Sequence, residues 1–241
     1  MRRFLEILAI ALSSAILLAA LSFYGWTRVS RYPAFDAAAS LGEEVQSAEG
    51  WYVLEPEGEP VAGFVFYPGG LVDPAAYTPL LERLSDGGVL AVIVPMPLEL
   101  AVFDIDRADE VIAAYPEVEH WTIGGHSLGG AMACEYVAAH PEVFDGLVLL
   151  ASYPADSTDL SSTDVQTVLI YGTEDGVSGD VFQDAAARLP TDTVLVEISG
   201  GNHAQFGDYG PQKGDGTPSV SRDQQQRLTA ESILALLGSL E

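Results

Sequence analysis

The chain has one cysteine, Cys134, and one lysine, Lys213, in 241 residues. A single cysteine excludes any intrachain disulfide framework. It sits among Ala131, Met132 and Ala133 and reads as a packed small apolar residue. Basic residues are scarce: 10 Lys and Arg stand against 35 Asp and Glu, a net charge of −25. Phosphate contacts need clustered Lys and Arg, so nucleic-acid binding is excluded as a function class. A dense acidic surface is tolerable where salt screens self-repulsion. With lysine almost absent, the composition points to a halophilic source. Internal repeats and low-complexity tracts are also missing.

What the chain does have is a long uncharged run, Ile7 to Thr27, made mostly of Ala, Leu and Ile. About 20 such residues span a hydrocarbon core as a helix. Phe23, Tyr24 and Trp26 form an interfacial aromatic group at one end. Arg2 and Arg3 precede the run, and Arg28 and Arg31 follow it. The expectation is a single-pass anchor in the bilayer over residues 1–27, with the rest of the chain extracytoplasmic. A signal peptide is the rival, with Ala20-Leu21-Ser22 as a small-residue cleavage site. Residues 28–50 read as a polar connector, and residues 51–241 as one domain.

Within that domain, strand-like and helix-like segments alternate. Strands are expected at Trp51–Leu54, Val61–Tyr67, Val89–Val94, Trp121–Gly124, Gly146–Ala151, Val165–Tyr171 and Thr193–Ile198. Several are continuous apolar runs, the pattern of strands covered on both faces. Helices are expected at Pro74–Leu84, Asp104–Ala114, Leu128–Ala139, Gly179–Leu189 and Asp223–Leu237. The alternation predicts an α/β fold with a mostly parallel sheet of about seven strands and helices on both faces. Ligands bind such sheets beyond the carboxyl ends of the strands.

Directly after the fourth strand comes Gly124-Gly125-His126-Ser127-Leu128-Gly129-Gly130. Gly125-x-Ser127-x-Gly129 between a strand and a helix reads as a nucleophile elbow, with a serine at the apex of a sharp turn. The pattern is weak alone in a glycine-rich chain and needs partners. A serine hydroxyl needs a histidine to take its proton and a carboxylate to orient the imidazole. Four histidines are available. His126 adjoins Ser127 within the turn and points away from it. His120 precedes a strand, at the wrong edge of the sheet. His140 ends a helix before Pro141. His203 remains, in a loop after the last strand, on the same side as Ser127. The acid should also leave a strand end. Asp175 in Gly172-Thr173-Glu174-Asp175-Gly176 fits, with Glu174 the rival and a plain Asp-Gly turn the structural alternative. The order Ser127, Asp175, His203 is the order of α/β-hydrolases. An oxyanion hole needs two backbone donors. Leu128 supplies one N–H. The other falls to Gly70 or Leu71 in Pro68-Gly69-Gly70-Leu71, because Pro68 has none.

On these residues, with Tyr67-Pro68-Gly69-Gly70 and Gly201-Asn202-His203-Ala204-Gln205-Phe206, the chain resembles the α/β-hydrolase superfamily. The likeness is to its short fold-5, dienelactone-hydrolase-like group, and covers roughly residues 50 to 240. Tyr67-Pro68 replaces the histidine more usual before the glycine. The resemblance implies a serine hydrolase acting on a small ester-like acyl substrate without cofactor or metal. A catalytically silent binding domain and an acyltransferase are the alternatives. The connection from Ala151 to Val165 is too short for a cap of several helices, so the site should be open. The loop Gly207 to Arg222 either rims the pocket or simply connects, and its Asp208 and Asp215 lack the spacing of a calcium loop.

Overall fold

Seven strands form one sheet in the computed structural model, which describes residues 2–179 and 181–240. In chain order the elements begin with α1 (Arg2–Val29), α2 (Asp36–Val45), β1 (Tyr52–Leu54), β2 (Ala62–Tyr67), α3 (Thr78–Ser85) and β3 (Val89–Ile93). Then come α4 (Ala108–Ala114), β4 (Trp121–His126), α5 (Leu128–Ala139) and β5 (Gly146–Leu150). The last are β6 (Gln166–Gly172), α6 (Val181–Ala185), β7 (Val194–Ile198) and α7 (Arg222–Leu237). The chain divides into two compact units, one running to Arg31 and the other beginning at Tyr32.

The first unit is α1. Its mean hydropathy reaches 2.4, long and apolar enough to cross a membrane. A signal sequence at an N-terminus meets the same test.

The second unit holds the sheet, in the order β1-β3-β2-β4-β5-β6-β7. Only β1 is antiparallel, pairing Tyr52 with Ile93, and all other pairs are parallel. Every residue of β2, β3 and β5 is buried, as the continuous apolar runs require. Helix α3 packs on β3 and α7, whereas α5 packs on β4, β5 and β2. Right-handed crossovers in opposite directions from the sheet centre put these helices on opposite faces. The direction reverses between β2 and β4, and the carboxyl ends of those two strands carry Pro68-Gly69-Gly70 and Ser127. Such a switch point is where open α/β sheets bind ligands.

Three expectations change. Residues 28–50 contain α2, which packs against Pro74–Tyr77, α3 and β1. Gly42 permits this: an added Cβ would stand 2.8 Å from Ala75 Cβ and 3.0 Å from Tyr52 Cε1. Ala38, Leu41, Gly42 and Val45, at i, i+3, i+4 and i+7, form the inward face of this short helix, with Glu43 and Glu44 exposed. The helices expected from Pro74, Asp104 and Gly179 are each split into an α-helix and a 3-10 turn, at Pro74–Tyr77, Ile105–Arg107 and Ala186–Arg188. The last of these ranges includes Asp180, and the expected domain bounds include Met1 and Glu241, all outside the described residues. Finally β4 runs on to His126, so the turn begins at Ser127 itself. Cys134 is buried, and burial pushes its thiol pKa up, in keeping with a packing role.

Candidate active site

Ser127 has φ 52° and ψ −120° between β4 and α5. For a residue with a Cβ this region costs about 1–3 kcal/mol and persists only where the surroundings enforce it. They do so here. Ser127 N–H donates to Leu150 O at 3.0 Å, and its carbonyl accepts from Ser152 Oγ at 2.6 Å. The glycines around it are packing requirements. A Cβ on Gly129 would stand 2.1 Å from Tyr67 O, and one on Gly125 would stand 2.5 Å from Gly130 N. The spacing read in the sequence is therefore the spacing at which backbone meets backbone.

The candidate acid and base meet. His203 Nδ1 lies 2.8 Å from Asp175 Oδ2, with side chains 0 % and 1 % exposed. The other carboxylate oxygen, Oδ1, accepts from Val177 N at 2.9 Å and Ser178 N at 2.8 Å. The Asp175 carboxylate is thus fully engaged as an acceptor, and the imidazole proton belongs on Nδ1. Nε2 is buried and without a hydrogen-bond partner among the described residues. Glu174, the rival acid, is exposed. His120 pairs with Asp145 at the opposite sheet edge, and the His140 ring packs at a tilt against Tyr136, centroids 4.8 Å apart.

The third link is open: no hydrogen bond joins Ser127 to His203 Nε2. Ser127 instead borders a cavity of about 400 Å³ with Leu128, Met132, Tyr153, Val177 and Ser178. The connection from Ser152 to Val165 contains neither helix nor strand, so it supplies no helical cap. A separate cavity of about 280 Å³ between β6, β7 and α7 has no histidine or cysteine in its lining.

Of the expected oxyanion donors, Leu128 opens α5, where the first N–H groups have no helical acceptor. Leu71, with φ 61°, donates its N–H to Glu99 O at 2.8 Å and is committed. Gly69 donates to Tyr77 Oη at 3.0 Å. That leaves Gly70, whose added Cβ would lie 3.0 Å from Leu128 Cδ2, beside the other donor.

Two residues here have partners that the sequence did not reveal. Tyr77 Oη accepts the N–H of Gly69 at 3.0 Å and shares a second hydrogen bond, of 2.9 Å, with His126 Nδ1. Burial, then the neighbouring His203, holds the His126 pKa well below 6.5 and favours the neutral ring. Its ring centroid lies 4.5 Å from that of His203. The second is Asp215, whose two oxygens take backbone N–H groups from His203 and Ala204 at 3.1 and 2.8 Å. Asp208 is likewise engaged, by Gln226 Nε2 at 2.7 Å. The loop Gly207 to Arg222 is thus built into the loops that carry the site.

Comparison with known proteins agrees with this architecture. The model of the alpha/beta hydrolase family matches residues 63–227. Among solved structures, Est1E from Butyrivibrio proteoclasticus superposes with a TM-score of 0.58 at 12% identity, covering 78% of this chain and 94% of that one. The esterase domain of a Rhodothermus marinus protein gives 0.56 at 14%, covering 79% and 94%. A putative dienelactone hydrolase from Klebsiella pneumoniae gives 0.55 at 15%, covering 78% and 92%. At these identities the likeness is one of fold. No curated protein matches the sequence.

Proposed function

The chain belongs to the alpha/beta hydrolase family, and from that premise we propose that it is a serine hydrolase of small ester-like substrates, with Ser127 as nucleophile. One observation carries the reading: a buried Asp175–His203 hydrogen bond through Nδ1 leaves His203 Nε2 without a partner among the described residues, on the same sheet edge as a serine held in a strained turn. Ser127 Oγ attacks the acyl carbonyl while its proton passes to Nε2. The C–O bond to the leaving alcohol then breaks as Nε2 returns that proton to the alkoxide. Water repeats the sequence on the acyl-enzyme. Asp175 keeps the imidazole in the Nδ1–H tautomer and stabilises its cation. The N–H groups of Leu128 and Gly70 stabilise the oxyanion. Proton transfer needs Ser127 Oγ within about 2.6–3.2 Å of Nε2, a contact that such sites often tighten only around substrate.

The cavity beside Ser127 supports a small acyl group. Its walls are mostly apolar, with hydroxyls at Ser152, Tyr153 and Ser178 as polar points. Helix α1 anchors the enzyme in a bilayer in this reading, and the net charge of −25 suits it to high salt. Recovery in the membrane fraction after a carbonate wash supports the anchor; a soluble chain beginning after Ser22 supports a cleaved signal. The activity is tested with short p-nitrophenyl esters: Ser127→Ala should reduce kcat by about 10⁶. Undiminished turnover overturns the assignment.

A further inference from the structure

We infer that Asp215 is a positioning residue that sets the geometry of the Asp175–His203 pair, an inference that rests on the proton-relay reading above. The turn Gly214-Asp215-Gly216 comes from the loop between the candidate base and α7, and it lies between two other loops. On one side is the acid loop, Glu174 to Gly176. On the other is the base loop, Asn202 to Ala204.

The contacts are specific. Asp215 Oδ1 accepts the N–H of His203 at 3.1 Å, that of Gly216 at 2.9 Å, and more weakly that of Gly176 at 3.4 Å. Oδ2 accepts the N–H of Ala204 at 2.8 Å. One carboxylate therefore holds the backbone of the base itself and reaches the residue immediately after the acid. The turn is tied on both sides by further bonds: Gly216 N–H to Glu174 O at 3.1 Å, and Asn202 Nδ2 to Gly216 O at 2.9 Å.

The glycines show how close the wedge is. A Cβ on Gly216 would stand 2.1 Å from Glu174 O, and one on Gly176 would stand 2.3 Å from Gly214 O. Gly214 has φ 93°, which a residue with a side chain rarely adopts. Only Gly-Asp-Gly delivers a carboxylate to this spot. Both of its oxygens are occupied by N–H donors, so the group acts as an anchor for backbone.

Such an anchor matters because His203 must hold two contacts at once, Nδ1 on Asp175 and Nε2 toward the serine. A displacement of about 1 Å in such an arrangement costs about a hundredfold in rate. Asp215→Asn keeps size and one acceptor oxygen but presents an NH₂ where a backbone N–H now finds oxygen. With p-nitrophenyl butyrate, and rates normalised to folded protein, kcat should fall between about ten- and a hundredfold with KM within about twofold. The far-downfield proton resonance of the His203 Nδ1–H···Asp175 bond should shift or vanish. Gln226→Ala, which removes the nearby bond to Asp208, is the control for loop stability. At a matching loss of Tm it should leave kcat and that resonance unchanged.

A folded Asp215→Asn protein with kcat within twofold of the parent overturns the inference. So does an equal loss of kcat in Gln226→Ala, or an Asp215→Asn chain that fails to fold where Gln226→Ala folds. Ser127→Ala separates this failure from that of the underlying reading. If it retains full activity, the proton relay itself is wrong. If it is inactive and Asp215→Asn is unimpaired, only the role of Asp215 falls.

Discussion

Tyr77 and His126, 49 positions apart in the chain, share a buried hydrogen bond of 2.9 Å between Oη and Nδ1. The same phenol oxygen accepts the N–H of Gly69. One hydroxyl thereby joins the strand end before the candidate nucleophile to the loop that carries Gly70.

Tyr77→Phe removes that junction and leaves two buried groups without a partner, Gly69 N–H and His126 Nδ1. Each costs about 1–3 kcal/mol. The variant should unfold at a clearly lower denaturant midpoint. Its kcat should fall by about tenfold or more, because loosening this loop weakens an oxyanion donor whose outright loss costs about 10²–10³. Urea unfolding and steady-state kinetics on one preparation check both. An unchanged kcat would disconnect Tyr77 from the reaction.

Gly129 and Gly210 provide a matched pair. Gly129→Ala drives a Cβ to within 2.1 Å of the Tyr67 carbonyl, a backbone atom that cannot rotate aside. A cost of about 3 kcal/mol or more is expected, at or above the usual range for overpacking. Gly210→Ala meets nothing within 4 Å and should be neutral within about 0.5 kcal/mol. Equal stabilities for the two variants would refute the close packing of the elbow.

His126 predicts an acid limb of stability. Its folded pKa is depressed by burial, chiefly, and by His203, whereas the unfolded chain titrates near 6.5. Above 6.5 both states are neutral at this site and its contribution is complete. As the pH falls below 6.5 the unfolded state takes up a proton that the folded state refuses. Stability should then drop by about 1.4 kcal/mol per pH unit until the folded pKa is reached. Unfolding free energies from pH 8 to 5 should bend downward below 6.5 in the parent, and less steeply in His126→Gln. An identical slope in both proteins would assign the effect elsewhere.

With 35 acidic against 10 basic side chains, self-repulsion opposes the compact state at low ionic strength. The screening length shrinks from about 10 Å at 0.1 M salt to about 3 Å at 1 M. Tm should rise steadily with NaCl into the molar range. A flat or falling Tm would remove the case for adaptation to high salt.

The parts of the site that were legible in the sequence are those with local causes. Gly125, Gly129 and Gly130 announce a turn because no side chain fits there. Asp175 and His203 stand out because each follows an apolar strand, so topology carries both to one edge of the sheet. The contacts of Tyr77 and Asp215 were not legible for the opposite reason. Each acts on a partner brought near only by folding, and neither sits in a pattern of period 2 or 3.6. The helix α2 is different: Ala38, Leu41, Gly42 and Val45 do repeat at helical spacing, but over ten residues with alanine and glycine as the buried members the signal is short and weakly apolar. Between Gly70 and Leu71, the proposal of Gly70 rests on a single bond, Leu71 N–H to Glu99 O, which no local pattern encodes.

The central claim is that Ser127 is an activated nucleophile, and covalent labelling tests it most directly. The folded protein is treated with a fluorophosphonate, and the adduct is located by mass spectrometry of the digested chain. One adduct per chain on Ser127 is expected, slowed by about 10⁴ or more in His203→Ala and absent in Ser127→Ala. No adduct on the folded parent, or an adduct at equal rate in Ser127→Ala, would contradict it.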